Sequence, residues 1–166
     1  MPKKRAFAAT LRRIKLLLLD VDGVMTDGGI TYSNSGDEFK KFNIQDGYGL
    51  VKLQRKGISA GIITGRLSNI VARRAEELGI KEVYQNLENK SEAYETIKTK
   101  LNLTDKEIAY IGDDEFDLPV LEQVGFSAAP ADAVPLVKKR VQYVCSRNGG
   151  DGAVREVIDL ILEHQK

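Results

Sequence analysis

The sequence predicts an α/β fold in which a mainly parallel central sheet is flanked by helices. Short apolar runs that end in glycine or polar turns alternate with segments of helical spacing along most of the chain. Such alternation is typical of parallel sheets with helices packed on both faces. The clearest strand is the four-leucine run that leads into Asp20, because so short an apolar run before a glycine-bearing turn indicates a buried central strand.

Length and composition favour one domain that spans 1–166. A chain of 166 residues with 30% charged and 42% hydrophobic residues can bury a core without disulfides. Its net charge of +1 favours neither nucleic acid nor a membrane as a partner. The single cysteine, Cys145, excludes an internal disulfide and suits a reducing, cytoplasmic compartment.

The start of the chain is rich in basic residues, so a signal peptide has to be considered. The apolar run that follows is too short for a signal sequence, and it stops at Asp20 without a small-residue cleavage site. We expect a solvated lead-in of one or two helical turns. A nucleic-acid-binding arm is the alternative, but aromatic residues do not alternate with the basic ones. The basic residues at the start of the chain are Lys3, Lys4, Arg5, Arg12, Arg13 and Lys15.

Hydrophobic spacing and turn residues predict the order of elements. The expected strands cover 14–21, 59–64, 82–84, 108–111, 126–128 and 143–145. The expected helices cover 46–56, 68–78, 92–101, 118–124, 135–139 and 153–163. Thr104 and Glu107 form a capping-box pattern that predicts a further helix start. Residues 30–32 and 38–43 flank a glycine-bearing turn, so we expect a β-hairpin over 30–43.

Two aspartates follow the first predicted strand, at the edge where open α/β sheets bind their ligands. Asp20 and Asp22 are one residue apart, and like charges this close favour a divalent cation between them. One carboxylate is a candidate nucleophile and the other a candidate general acid and base. A turn that uses aspartate only for local hydrogen bonds is the alternative.

Two further predicted strand and helix ends carry candidate phosphate-binding groups. Thr64, Gly65 and Arg66 follow the second buried strand, where a hydroxyl and backbone N–H groups can cradle a phosphate. Taken alone, this pattern is better explained by a helix N-cap. Lys90 precedes a predicted helix, where it can offset clustered carboxylates, although a solvated surface lysine is the simpler interpretation.

An acidic turn follows the predicted strand 108–111. Its carboxylates are hard oxygen ligands that suit a cation, while the residue alternation of an EF-hand loop is missing. A solvated acidic turn is the alternative. The acidic residues are Asp113, Asp114, Glu115 and Asp117.

The order of these motifs resembles that of the haloacid dehalogenase (HAD) superfamily of phosphotransferases, over nearly the whole chain. Within it, three segments are similar to the 3-deoxy-D-manno-octulosonate 8-phosphate (KDO 8-phosphate) phosphatases of lipopolysaccharide biosynthesis: DVDGVMTDG from Asp20, FNIQDGYG from Phe42 and GGDGAVRE from Gly149. The resemblance implies a Rossmann-like HAD fold with a small hairpin in place of a cap domain. It also implies hydrolysis of a sugar-acid phosphate through an aspartyl phosphate.

The resemblance assigns a role to each candidate residue. Asp20 is the expected nucleophile, and Asp22 the expected general acid and base. Mg²⁺ is expected on the carboxylates of Asp20 and Asp113 and on the backbone carbonyl of Asp22. Four residues are expected to bind the substrate: Thr64, Gly65, Arg66 and Lys90. Asp114 and Asp117 are expected to orient Lys90 or a metal-bound water.

The resemblance further implies a homotetramer in which neighbouring subunits complete each active site, through the hairpin and the glycine-rich tail over 147–166. Arg66 is the expected partner of the sugar acid, ahead of Lys40 and Lys41. Gln45 and Asp151 depart from the family pattern, which is often basic at both positions. Three alternatives stay open: a nine-carbon sialic-acid-type 9-phosphate as substrate, a catalytically idle HAD-fold binding subunit, and a receiver-like metal-binding domain.

Overall fold

A central sheet of six parallel strands organises the protein, and the computed structural model describes residues 7–165. The strands are β1 (Leu16–Leu19), β4 (Ser59–Ile63), β5 (Glu82–Tyr84), β6 (Ile108–Ile111), β7 (Phe126–Ala129) and β8 (Tyr143–Val144). Their order in the sheet is β5-β4-β1-β6-β7-β8, so β1 lies between β4 and β6. The predicted parallel sheet is therefore confirmed, with the four-leucine strand at its centre.

Helices cover both faces of the sheet and bury a separate core on each side. They are α1 (Ala8–Leu11), α2 (Ile44–Arg55), α3 (Asn69–Glu77), α4 (Lys90–Lys100), α5 (Leu118–Leu121), α6 (Pro135–Arg140) and α7 (Ala153–His164). Leu17 and Leu19 pack with α1, α2, α3 and α7, whereas Leu16 and Leu18 pack with α4, α5 and α6. Each fully buried leucine contributes roughly 1.5–3 kcal/mol to folding.

Asparagine caps place two helix starts earlier than the sequence predicts. The Asn43 side chain accepts two backbone N–H groups, so α2 begins at Ile44 instead of 46. The Asn89 side chain accepts the N–H of Ser91, and α4 therefore begins at Lys90 instead of 92.

Two other predicted helices are shorter than expected. The capping box of Thr104 forms, but only one 3₁₀ turn follows it because strand β6 starts at Ile108. Helix α5 ends at Leu121 instead of 124. Of the basic lead-in, residues 1–6 lie outside the described chain, and α1 forms the single helical turn that follows.

The predicted hairpin is present but shorter, with strands β2 (Thr31–Tyr32) and β3 (Glu38–Phe39) paired antiparallel. Gly36 in its turn has φ +90°, a conformation that other residues rarely adopt. The hairpin exposes apolar side chains, including Tyr32 at 60% and Phe39 at 56%. No helix within residues 7–165 is long and apolar enough to cross a membrane.

Candidate active site

The candidate residues of the sequence meet at the carboxyl edge of the sheet. Asp20 directly follows β1, Thr64 directly follows β4, and Asp113 follows β6 after one glycine. Because these three strands are neighbours in a parallel sheet, their carboxyl ends lie side by side. Lys90 joins them as the first residue of α4.

Lys90 is buried among the carboxylates, with 2% of its surface exposed. Its ammonium Nζ lies 3.0 Å from Asp20 Oδ1 and 2.6 Å from Asp117 Oδ1. The interpretation as a solvated surface lysine is therefore wrong. A buried ammonium remains charged only with such partners, so Lys90 and the two carboxylates stabilise one another.

Asp117 is fully buried and accepts hydrogen bonds on both carboxylate oxygens. Oδ1 accepts from Lys90 and from the hydroxyl of Tyr110, while Oδ2 accepts the backbone N–H groups of Asp113 at 2.9 Å and Asp114 at 3.2 Å. These bonds fix both the ammonium and the acidic turn. Sequence reasoning missed Tyr110, although a tyrosine in a buried strand signals a hydroxyl that needs a partner.

Asp114 lies at the surface and does not reach Lys90. Its side chain caps the 3₁₀ turn Glu115–Asp117 by accepting the N–H of Glu115 at 2.7 Å. The acidic turn thus divides into a buried residue at the site, Asp117, and an exposed capping residue, Asp114.

Three carboxylates within residues 7–165 are close enough to share a cation: Asp20, Asp113 and Asp117 each offer one oxygen, all within 4.8 Å of one another. Burial raises the pKa of Asp113 to about 8, and the charge of Asp20 adds to the rise. Burial also raises the pKa of Asp20 to about 6, although Lys90 opposes the rise. A divalent cation would offset this repulsion, so the donor set fits one. Because both oxygens of Asp117 are already occupied, Asp20 and Asp113 are the free carboxylate ligands.

The Asp22 side chain points away from this cluster, toward the hairpin. Its Oδ1 lies 2.5 Å from Lys40 Nζ, and its Oδ2 lies 3.8 Å from Arg66 Nε. Only 1% of the Lys40 side chain is exposed, and its ammonium also lies 3.4 Å from Glu38. Lys40 is therefore buried in ion pairs, whereas Lys41 is exposed.

Thr64 and Gly65 follow strand β4 at the same edge of the sheet. Thr64 is buried, and its N–H donates to the carbonyl of Tyr84 in the neighbouring strand. Thr64 is not a helix N-cap, because α3 begins only at Asn69. A Cβ at Gly65 would lie 3.0 Å from the ring of Phe116, so glycine fits this position best. The Phe116 ring also lies over the Lys90 ammonium, 5.2 Å from Nζ to the ring centroid.

The hairpin holds Arg66 at the mouth of the site. Its guanidinium donates to the Tyr32 hydroxyl at 3.0 Å and to Glu38 Oε1 at 3.3 Å. Its Nε is buried and has no hydrogen-bond partner among residues 7–165. Nε lies in an ion pair with Asp22, and 41% of the Arg66 side chain is exposed, so the guanidinium can meet a ligand beside Asp22.

The glycine-rich tail packs on the turn that follows Asp22 in the same chain. Gly150 donates its N–H to the carbonyl of Val24 at 3.0 Å. A Cβ at Gly149 would lie 1.9 Å from the carbonyl oxygen of Gly23, so only glycine allows this approach. The tail therefore buttresses the turn that carries the first two aspartates.

Asp46 is a buried carboxylate outside this cluster, which sequence reasoning missed. It is 2% exposed, and its Oδ1 accepts the N–H of Arg155 at 2.8 Å in the first turn of α7. Its Oδ2 has no hydrogen-bond partner in the described chain, and burial raises its pKa to about 6. The two residues that depart from the family pattern, Gln45 and Asp151, are exposed near this carboxylate.

The chain is similar in sequence and in structure to known hydrolases. The sequence model of haloacid dehalogenase-like hydrolases matches residues 75–158. The 3-deoxy-D-manno-octulosonate 8-phosphate phosphatase of Escherichia coli K12 is 47% identical over 154 residues, which are 93% of this chain and 82% of that protein. The crystal structure of the Yersinia pestis phosphatase of that name has a TM-score of 0.94 at 47% identity and covers 95% of this chain and 85% of its own.

The Moraxella catarrhalis phosphatase of that name was solved in complex with magnesium ion, phosphate ion and KDO. It has a TM-score of 0.95 at 40% identity, covering 97% of this chain and 92% of its own. The chain belongs to the haloacid dehalogenase-like hydrolase family, among its phosphoric monoester hydrolases.

Proposed function

We propose that this protein hydrolyses KDO 8-phosphate to KDO and phosphate, as a cytoplasmic step of lipopolysaccharide biosynthesis. The observation that best supports the proposed reaction is the contact between the buried Asp20 carboxylate and the Lys90 ammonium, which lie 3.0 Å apart at the edge of the sheet. Similarity over 93% of the chain to a phosphatase of that name supports the substrate.

Mg²⁺ is the proposed cofactor, since oxygen ligands and a compact acidic site suit this ion. Asp20 and Asp113 would hold it through their carboxylates, and Asp22 through its backbone carbonyl. When bound, the ion neutralises charge on the phosphoryl group and on the surrounding carboxylates.

In the proposed first step, a carboxylate oxygen of Asp20 attacks phosphorus and the bond from phosphorus to the sugar oxygen breaks. Asp22 gives its proton to the departing sugar oxygen. Lys90, the Thr64 hydroxyl and the N–H of Gly65 hold the phosphoryl oxygens, which is where positioning and charge neutralisation lower the barrier most.

In the second step, water attacks the phosphorus of the aspartyl phosphate. Asp22, now a carboxylate, accepts the proton of that water. The bond between phosphorus and the Asp20 oxygen then breaks, which releases phosphate and restores the free carboxylate.

Arg66 is the proposed partner of the sugar-acid carboxylate. Its side chain is 41% exposed and lies beside Asp22, the acid proposed to face the leaving sugar. A guanidinium also matches the planar geometry of a carboxylate. We therefore expect Arg66→Met to raise KM for a sugar-acid phosphate more than it lowers kcat.

We further propose a homotetramer in which neighbouring subunits cover the active site. The hairpin is too short to form a cap, and it exposes Ile30 at 49%, Tyr32 at 60% and Phe39 at 56%. Exposed apolar side chains clustered in this way favour protein contact. A sizing column tests the assembly, and a fully active monomer would contradict the shared site.

A phosphate-release screen over sugar phosphates, with Mg²⁺ and with EDTA, tests the proposed reaction. We expect turnover of KDO 8-phosphate that EDTA abolishes. A higher kcat/KM for a nine-carbon sugar-acid 9-phosphate would replace the substrate but keep the chemistry. No turnover of any phosphomonoester would refute the proposed activity.

A further inference from the structure

Tyr110 lies beneath the active site, in the middle of strand β6. The side chain is fully buried in the core between the sheet and helix α4. Its hydroxyl lies at the edge of this apolar core and forms hydrogen bonds with Asp117 and Lys90. Because it is neutral, the hydroxyl can satisfy a carboxylate there without adding charge.

The hydroxyl closes a triangle of hydrogen bonds. It donates to Asp117 Oδ1 at 2.5 Å, and Lys90 Nζ donates to it at 3.2 Å. The third side is the contact of 2.6 Å between Lys90 Nζ and Asp117 Oδ1. Asp117 is fixed on its other oxygen by two backbone N–H groups, so the triangle ties Lys90 to the rigid acidic turn.

The triangle directs the ammonium toward the nucleophile, since the same Nζ lies 3.0 Å from Asp20 Oδ1. Without the hydroxyl, Lys90 would be the sole side-chain donor to Asp117 Oδ1, and the lysine would be drawn toward Asp117 and away from Asp20. We propose that Tyr110 is a positioning residue that shares Asp117 with Lys90 and so keeps the ammonium in place for the phosphoryl oxygens. The inference rests on the proposed function, in which Lys90 binds those oxygens.

Tyr110→Phe removes the hydroxyl and keeps the ring in the core. Tyr94→Phe is the matched control: Tyr94 is also fully buried, and its hydroxyl donates at 2.5 Å to Asp105, a carboxylate outside the site. Binding of inorganic phosphate in the presence of Mg²⁺ is measured by calorimetry, so the comparison does not depend on turnover. kcat and KM for KDO 8-phosphate are measured alongside.

We expect Tyr110→Phe to weaken phosphate binding and to lower kcat/KM by about tenfold, the effect of losing one hydrogen bond to a charged group. Tyr94→Phe should keep its phosphate affinity and its kcat/KM within about twofold of the parent protein, even if it lowers the melting temperature as much as Tyr110→Phe does. In a Lys90→Met background, Tyr110→Phe should cause almost no further loss, because the hydroxyl acts through the ammonium.

Unchanged phosphate affinity in Tyr110→Phe would overturn the inference. The inference would also be overturned if Tyr110→Phe lowered phosphate affinity as much in the Lys90→Met background as in the parent protein, because the hydroxyl would then act without the ammonium. If the parent protein binds phosphate but does not hydrolyse KDO 8-phosphate, the proposed substrate fails, and the phosphate affinities of the variants still decide the role of Tyr110.

Discussion

Asp46 provides a test of the electrostatics in the tail region, away from the reacting groups. Its carboxylate caps the start of α7 through the N–H of Arg155, while its second oxygen lies buried without a hydrogen-bond partner in the described chain. Burial raises its pKa from 3.8 to about 6. Asp46→Asn keeps the accepting oxygen and removes the charge.

The size of the effect follows from proton linkage. The folded protein holds the Asp46 proton more tightly than the unfolded chain does, so protonation stabilises the fold fully below pH 3.8 and the stabilisation is lost as the pH rises through about 6. A rise of roughly two units corresponds to about 3 kcal/mol, at about 1.4 kcal/mol per unit. The asparagine variant has no proton to lose at this site.

Urea unfolding of both proteins at several pH values measures this contribution. We expect the free energy of unfolding of Asp46→Asn, minus that of the parent protein, to increase by about 2.5 kcal/mol between about pH 4 and pH 7, because a small part of the stabilisation is already lost at pH 4. Any cost of the buried amide is independent of pH and cancels in the comparison. A difference that stays constant over this range would refute the reasoning.

Two further predictions concern residues around Asp22. Lys40→Met should lower kcat/KM for KDO 8-phosphate by about tenfold, because one oxygen of Asp22 loses its partner. Lys98→Met is the control: it also leaves two carboxylates without their lysine, and it should not lower kcat/KM. Equal rates for the two variants in a phosphate-release assay would contradict this role. Gly149→Ala should lower stability by about 1–3 kcal/mol and reduce turnover, since its Cβ meets a backbone carbonyl at 1.9 Å. Gly29→Ala is the control, because there the nearest atom belongs to an exposed side chain; equal melting temperatures would argue against the tail as a buttress.

The strands were the most predictable part of the fold. A parallel sheet covered on both faces produces short continuous apolar runs, and the predicted strands 82–84 and 108–111 coincide with β5 and β6. Helix starts were less predictable, because hydrophobic spacing marks the buried face and not the cap. Asn43 and Asn89 move two helix starts toward the N-terminus by satisfying free N–H groups.

The site was predictable where topology alone brings residues together. Asp20, Thr64 and Asp113 meet because neighbouring parallel strands end at one edge. The burial of Lys40 and Lys90 was not predictable, since their partners lie 18 and 27 residues away along the chain at no regular spacing. A sequence pattern distinguishes a surface lysine from a buried one only when such partners are already known.

Tyr110 and Asp46 escaped prediction for a related reason. Tyr110 occupies an apolar strand and Asp46 the first turn of a helix, where a tyrosine or an acid is ordinary. Only tertiary packing reveals that the hydroxyl meets Asp117 and that the carboxylate caps a distant helix.

Phosphate release by Asp20→Asn tests the central claim most directly, because the amide keeps the shape of the nucleophile and removes its reactive charge. We expect a folded protein, by circular dichroism and melting temperature, whose kcat for KDO 8-phosphate falls by at least about a thousandfold. A folded Asp20→Asn variant that keeps near-normal turnover would contradict the assignment of Asp20 as the nucleophile.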